Sequence, residues 1–207
     1  MKKILFMGDS ITDAGRTAVQ NDNLGTGYPL LVSSAMAFGN PGEYEFVNRG
    51  ISGNRIVDLI ARVKADMINL KPDYMSILIG VNDVWHKLDY SNGVDTPRFE
   101  MYYNLLIEQL KEALPDLKIM IFEPFVLKGT GTEKYFDEFK AEVTEKAAAA
   151  KRVAEKNNLV FIPLQDKFNE ALKKAPESYW LRDGVHPTPA GHELIKNEWL
   201  KNFEKIK

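Results

Sequence analysis

The chain reads as an α/β domain built on a parallel sheet with helices on both faces. Five short runs with strand character recur along its 207 residues. Stretches with apolar residues at three- and four-residue spacing separate them. Strands that alternate with helices in this way pair in parallel, because each crossover returns the chain to the same end of the sheet. No linker, repeat or low-complexity tract interrupts the pattern, so residues 1–207 are expected to form one domain.

The first strand is expected at residues 3–7, where an apolar run ends at Gly8-Asp9. Residues 29–38 follow as a helix candidate and 44–48 as the second strand. Residues 56–70 read as one further helix. The third strand is placed at 74–79, ending before Gly80. Phe99, Tyr102, Leu106, Leu110 and Ala113 then recur at helical steps. Residues 118–123 supply the fourth strand. Phe136, Phe139, Val143, Ala147, Ala150 and Ala154 mark another long helix, and 159–162 is the fifth strand. Residues 164–174 and 189–203 close the chain as helices. The stretches 13–27, 85–97 and 126–133 read as irregular, the usual place for substrate contacts in this architecture.

Composition narrows the function classes. Hydrophobic residues make up 44% and charged residues 27%, the balance of an ordinary globular domain. Lys plus Arg is 27 against 29 Asp plus Glu, a net charge of −2, which gives no reason to expect a nucleic-acid footprint. With no cysteine, a disulfide framework, a thiolate nucleophile and a cysteine zinc site are all excluded. The apolar run after Lys2-Lys3 stops after four residues, too short for a secretory signal. No run approaches 18 apolar residues, so no membrane span is expected. A cytoplasmic location is the resulting expectation.

Ligands of open parallel sheets bind beyond the carboxyl ends of the strands. Three polar, glycine-containing turns fall there: Gly8-Asp9-Ser10, Gly50-Ile51-Ser52-Gly53-Asn54 and Gly80-Val81-Asn82-Asp83. A serine hydroxyl is a weak nucleophile at neutral pH and needs a base. His186 can accept the Ser10 proton, and Asp183, three residues before it, can fix the imidazole tautomer. A tetrahedral intermediate also needs donors aimed at its oxyanion. The backbone N–H groups of Ser10 and Gly53 and the side-chain amide of Asn82 are the candidates. Gly50 competes for that role but better suits the exit turn of its strand.

The four blocks Gly8-Asp-Ser-Ile-Thr12, Gly50-Ile-Ser-Gly-Asn54, Gly80-Val-Asn-Asp83 and Asp183-Gly-Val-His-Pro187 resemble the signature blocks of the SGNH (GDSL-type) hydrolases, in that family's order and across nearly the whole chain. The resemblance implies a flavodoxin-like three-layer α/β/α sandwich with a five-stranded parallel sheet. It implies ester hydrolysis through an acyl-serine intermediate, with Ser10, Asp183 and His186 catalytic and Ser10, Gly53 and Asn82 forming the oxyanion hole. Neither metal nor cofactor is called for. Leu24-Gly-Thr-Gly-Tyr28, Ile79-Gly-Val-Asn-Asp-Val-Trp85 and Val185-His-Pro-Thr-Pro-Ala-Gly-His192 are further similar to intracellular bacterial esterases that deacetylate xylo-oligosaccharides. Short acyl esters, acetyl above all, on carbohydrates are therefore the expected substrates.

Plainer readings stand beside these. Ser10 can cap the following helix. Asp9 is expected to hold turn N–H groups. Trp85, His86 and Trp180 are substrate-binding candidates, with core packing the competing role for the tryptophans and a polar loop position for His86. His192 reads as solvated or packed, and Arg55 as a substrate clamp or a surface pair. The same residues permit a lysophospholipase or thioesterase on the same machinery. They also permit a metal-dependent phosphoesterase using Asp9, Asp13, Asp83, His86, Asp183 and His186, or a carbohydrate-binding module without activity. Trp199 and Phe203 offer apolar surface to the core or to a second copy.

Overall fold

Every predicted strand is a strand in the computed structural model of the protein, which describes residues 1–17 and 23–207. The strands are β1 (Lys2–Gly8), β2 (Tyr44–Gly50), β3 (Tyr74–Leu78), β4 (Lys118–Phe122) and β5 (Val160–Ile162). They form a sheet in the order β2-β1-β3-β4-β5, with every pairing parallel. This is the flavodoxin-like order. The chain leaves β1 to one side and returns past it to β3, so the carboxyl ends of β1 and β3 flank the crevice where such sheets bind ligands.

Ten α-helices are assigned among the described residues. They are α1 (Ser10–Asp13), α2 (Tyr28–Gly39), α3 (Ile56–Ala61), α4 (Val63–Asp66), α5 (Val81–Tyr90), α6 (Thr96–Ala113), α7 (Phe136–Lys156), α8 (Gln165–Ala171), α9 (Glu177–Trp180) and α10 (Pro189–Phe203). None of the described helices is long and apolar enough to cross a membrane.

The two-residue period of the strands sorts the core into two layers. Ile4 and Phe6 of β1, Leu78 of β3, and Met120 and Phe122 of β4 pack with α2 and α10. Leu5, Met7, Ile77, Ile119 and Ile121 face the other way, onto α3 and α6. Helix α7 serves both layers. Its Phe139 and Val143 join the first, and its alanine-rich end, Ala149 to Ala154, joins the second. Trp199 and Phe203 turn inward: Trp199 is fully buried and its ring stacks on Phe203 at 4.7 Å.

The structure corrects the sequence reading at two places near the site. Residues 85–97 are not all irregular, because α5 runs from Val81 to Tyr90. Its apolar residues Val81, Val84, Trp85 and Leu88 hold helical spacing on one face. The polar first turn, Val81-Asn82-Asp83, disguised the start of the helix, and Ser91 ends it in the left-handed conformation at φ 53°. Residues 56–70 are not one helix. Arg62 (φ −116°, ψ 12°) and Met67 (φ −129°, ψ −67°) divide them into α3, α4 and a short 3-10 turn. The first break falls at the residue whose guanidinium is drawn back to the sheet edge, onto the carbonyls of Gly8 and Arg49 and the side chain of Asn54.

Candidate active site

Ser10 is the first residue of α1, directly beyond the carboxyl end of β1. The N-cap is its neighbour Asp9, whose Oδ1 accepts the Ile11 N–H at 3.0 Å. With that task met by Asp9, the Ser10 hydroxyl is left for another partner. It lies 2.8 Å from His186 Nε2.

His186 is held from behind. Its Nδ1 lies 2.7 Å from Asp183 Oδ2, while Asp183 Oδ1 accepts the backbone N–H groups of Val185 (3.0 Å) and His186 (2.8 Å). Half-burial pushes the Asp183 carboxyl up, but the ring and the two N–H donors outweigh it and hold it at about 2. An ionised Asp183 accepts only, so Nδ1 carries the proton and Nε2 presents its lone pair to Ser10. The hydrogen bond to Asp183 also raises the proton affinity of His186, against the opposing effect of burial. Such a chain can take a proton from the serine hydroxyl and return it to a leaving group.

The turn after β2 is fixed from several sides. Ile51 N–H donates to Gly8 O, tying it to β1. Asp13 Oδ2 accepts both the N–H and the hydroxyl of Ser52. Arg62 Nε donates to Asn54 Oδ1 at 2.8 Å. Asn82, buried at the start of α5, donates its amide to Asn54 O at 3.1 Å. Asp83 accepts the Ile56 N–H at 3.2 and 3.3 Å on its two oxygens. The Asn82 amide has a second hydrogen beyond the one spent on Asn54.

The two competing glycines separate clearly. A side chain at Gly50 would meet the backbone of Thr12 and Asp13, 2.2 Å from Asp13 N, so Gly50 is where α1 crosses β2 at contact distance. Gly53 has φ 82°, a conformation that favours glycine, and a side chain there would meet only the His86 ring, at 4.0 Å.

Ser10 and His186 line a depression of about 390 Å³ with Ser52, Arg182 and His192. His192 is buried rather than solvated. Its Nδ1 accepts the Tyr28 N–H, and burial, with the nearby charge of Arg182, lowers it to about 4, so it is neutral at pH 7. Trp85 lies behind His186, ring centroids 5.8 Å apart, with its indole N–H on Asp89. His86 stands on α5 beside Gly53 rather than in a loop. The structure does not bring Trp180 to this depression. Its ring N–H donates to Ala175 O, and it lines a separate groove between α8 and α10. Arg55 pairs with Asp58 and donates to Asn92 O, so its guanidinium joins the start of α3 to the end of α5.

The six residues of the metal reading go to different tasks. Asp9 and Asp83 receive backbone N–H groups, and Asp13 holds Ser52. Among the described residues no three His, Asp or Glu side chains gather as a metal site would need. Arg62 and Asn48 were not singled out from sequence. Asn48 donates to Thr12 O and Leu24 O and accepts from Gly50 N–H, tying α1 and the chain at Leu24 to the end of β2. A polar residue directly after the apolar pair Phe46-Val47 was the only signal, and two of its partners, Thr12 and Leu24, lie far away in sequence.

Residues 6–194 match the GDSL-like Lipase/Acylhydrolase family. The chain is 35% identical to an acetylxylan esterase of Geobacillus stearothermophilus, over 98% of this chain and 94% of that protein. A GDSL-like lipase structure from Parabacteroides merdae superposes with a TM-score of 0.94 at 36% identity, covering 98% of this chain and 95% of its own. The Geobacillus esterase Axe2 superposes at 0.87 with 33% identity, covering 97% and 93%. Axe2 has been solved as catalytic mutants in which a serine, an aspartate or a histidine is replaced by alanine, the last two residues three positions apart. Another Axe2 variant replaces the tryptophan immediately before that aspartate.

Proposed function

The chain belongs to the GDSL-like Lipase/Acylhydrolase family, and on that premise we propose that it is a serine esterase that removes acetyl groups from carbohydrates such as xylo-oligosaccharides. The observation that carries the reading is the unbroken chain from Ser10 Oγ through His186 to Asp183, at 2.8 and 2.7 Å. Ser10 attacks the ester carbonyl as its proton passes to His186 Nε2. The oxyanion is met by the N–H groups of Ser10 and Gly53 and by the free amide hydrogen of Asn82. His186 then protonates the departing alcohol, and water, activated by the same imidazole, releases acetate from Ser10.

A short acyl group fits the lining, whose Ala14, Gly15, Thr26 and Ser52 are small and include no long aliphatic side chain. A long acyl chain would need an extended apolar wall. The 35% identity to an acetylxylan esterase favours an acetylated sugar as the alcohol part.

The test is p-nitrophenyl acetate followed by mass spectrometry. A 42 Da acetyl adduct on Ser10 is expected by the chemistry of acyl transfer. Ser10→Ala and His186→Ala should each lose on the order of 10³-fold or more in kcat, and the double variant little further. Retention of most activity by Ser10→Ala would overturn the proposal. Acetylated xylo-oligosaccharides set against longer acyl esters then test the substrate.

A further inference from the structure

Arg182 is exposed and lines the same depression as Ser10 and His186. Its position is fixed by the loop that carries the imidazole. The Arg182 N–H donates to His186 O at 2.8 Å, and the flanking Leu181 and Pro187 form an antiparallel bridge. Residues 182 and 186 thus face each other across a closed loop.

The guanidinium makes no ion pair or side-chain hydrogen bond among the described residues. The charges around it are committed elsewhere. Asp183 is held by His186 and its neighbours, and Asp13 by Ser52. His192 is neutral, and Ala14, Gly15, Thr26, Ser52 and Pro187 carry no charge. The fixed charge on the lining is therefore the Arg182 cation.

Its side of the pocket is informative. His186 gives its proton to the leaving alcohol, so the alcohol part departs on the imidazole side, where Arg182 stands. Axe2 has a tryptophan directly before the aspartate of the same Asp-x-x-His spacing. Here that place is taken by Arg182. A flat indole suits a neutral sugar face, whereas a guanidinium presents a charged fork that matches a carboxylate.

Resting on the esterase reading above, we propose that Arg182 is a specificity residue that selects esters whose alcohol part carries a carboxylate, the acetylated uronic-acid sugars being the natural class. A carboxylate placed about 4 Å from an exposed guanidinium gains on the order of tenfold in binding.

The experiment compares 4-acetoxybenzoate with its neutral counterpart 4-acetoxybenzamide, in the wild-type protein, Arg182→Gln and Arg182→Lys. The wild-type ratio of kcat/KM, anionic over neutral, is expected to fall about tenfold in Arg182→Gln, mainly through KM. Arg182→Lys should restore part of it, and added salt should lower the wild-type ratio. The same ratio in wild type and Arg182→Gln overturns the role of Arg182 and leaves the esterase reading intact. Failure of the wild-type protein to hydrolyse either ester overturns both.

Discussion

The loop that holds Asp183 and the turn that holds Asp83 remove the same side chain from water with opposite results. Asp183 is half-buried and receives three hydrogen bonds, two from backbone N–H groups and one from the His186 ring. Burial alone would raise it, yet it is held at about 2. Asp83 is completely buried and shares one backbone donor, Ile56 N–H, between its two oxygens. Burial wins there, and the carboxyl is pushed up to about 8. Asp9 falls with Asp83: one oxygen is bonded, the other has no partner, and burial lifts it to about 7. Donor count, set against desolvation, decides the outcome. Where a charge can steady an imidazolium, the loop supplies donors enough to keep it. Beneath the turns a carboxyl serves as an acceptor that positions backbone.

The comparison is broken most directly at Asp183. Asp183→Asn offers the ring a neutral amide, which neither fixes the tautomer nor stabilises the imidazolium. A loss on the order of 10⁴-fold in kcat is expected. Since Asp183 raises the proton affinity of His186, the acid limb of the pH–rate profile should also move to lower pH in the variant. Asp83→Asn keeps an oxygen for Ile56 N–H and should lose far less. Equal losses at the two positions would show that the division into charged and positioning carboxylates is wrong.

A second substitution probes the positioning side. Asn82 spends one amide hydrogen on Asn54 O. If the other meets the oxyanion, Asn82→Ala should lower kcat about 10²-fold with a smaller change in KM. A loss confined to KM would place Asn82 in ground-state binding instead.

Much of this architecture was legible in the chain because its signals are local. Each strand is a short apolar run, and Ser10, Gly53 and Asn82 follow closely on the ends of β1, β2 and β3, while Asp183 and His186 stand three residues apart in the stretch between α9 and α10. The strand order was not legible from those runs, since nothing local says that β1 lies between β2 and β3; it entered only through resemblance to a family. Helix α5 was missed because Asn82 and Asp83 have the chemistry of a turn while occupying a first helical turn. Trp180 was a substrate-binding candidate as an aromatic ring, with core packing as its competing role. The antiparallel bridge between Leu181 and Pro187 instead marks where the chain turns, leaving Trp180 on the α8–α10 side. The bracing by Arg62 and Asn48 depends on tertiary contacts between residues far apart in the chain.

The smallest effect expected is on stability, and its sign separates the two carboxylates. An unfolded aspartate titrates near 3.8, whereas Asp83 in the fold titrates at about 8. Between those values the native state holds a proton that the unfolded chain has lost. Stability must therefore fall as pH rises across that window. Asp183 works the other way. Its contribution is present above 3.8 and is lost as pH falls through about 2. Urea unfolding at pH 5 and pH 8 should thus show a smaller decline in Asp83→Asn than in the wild-type protein. Some decline will remain, because Asp9 titrates at about 7 in the fold. An unchanged slope in the variant would mean that Asp83 is ionised in the folded protein at pH 5, with Lys146 as the cation that most favours its charge.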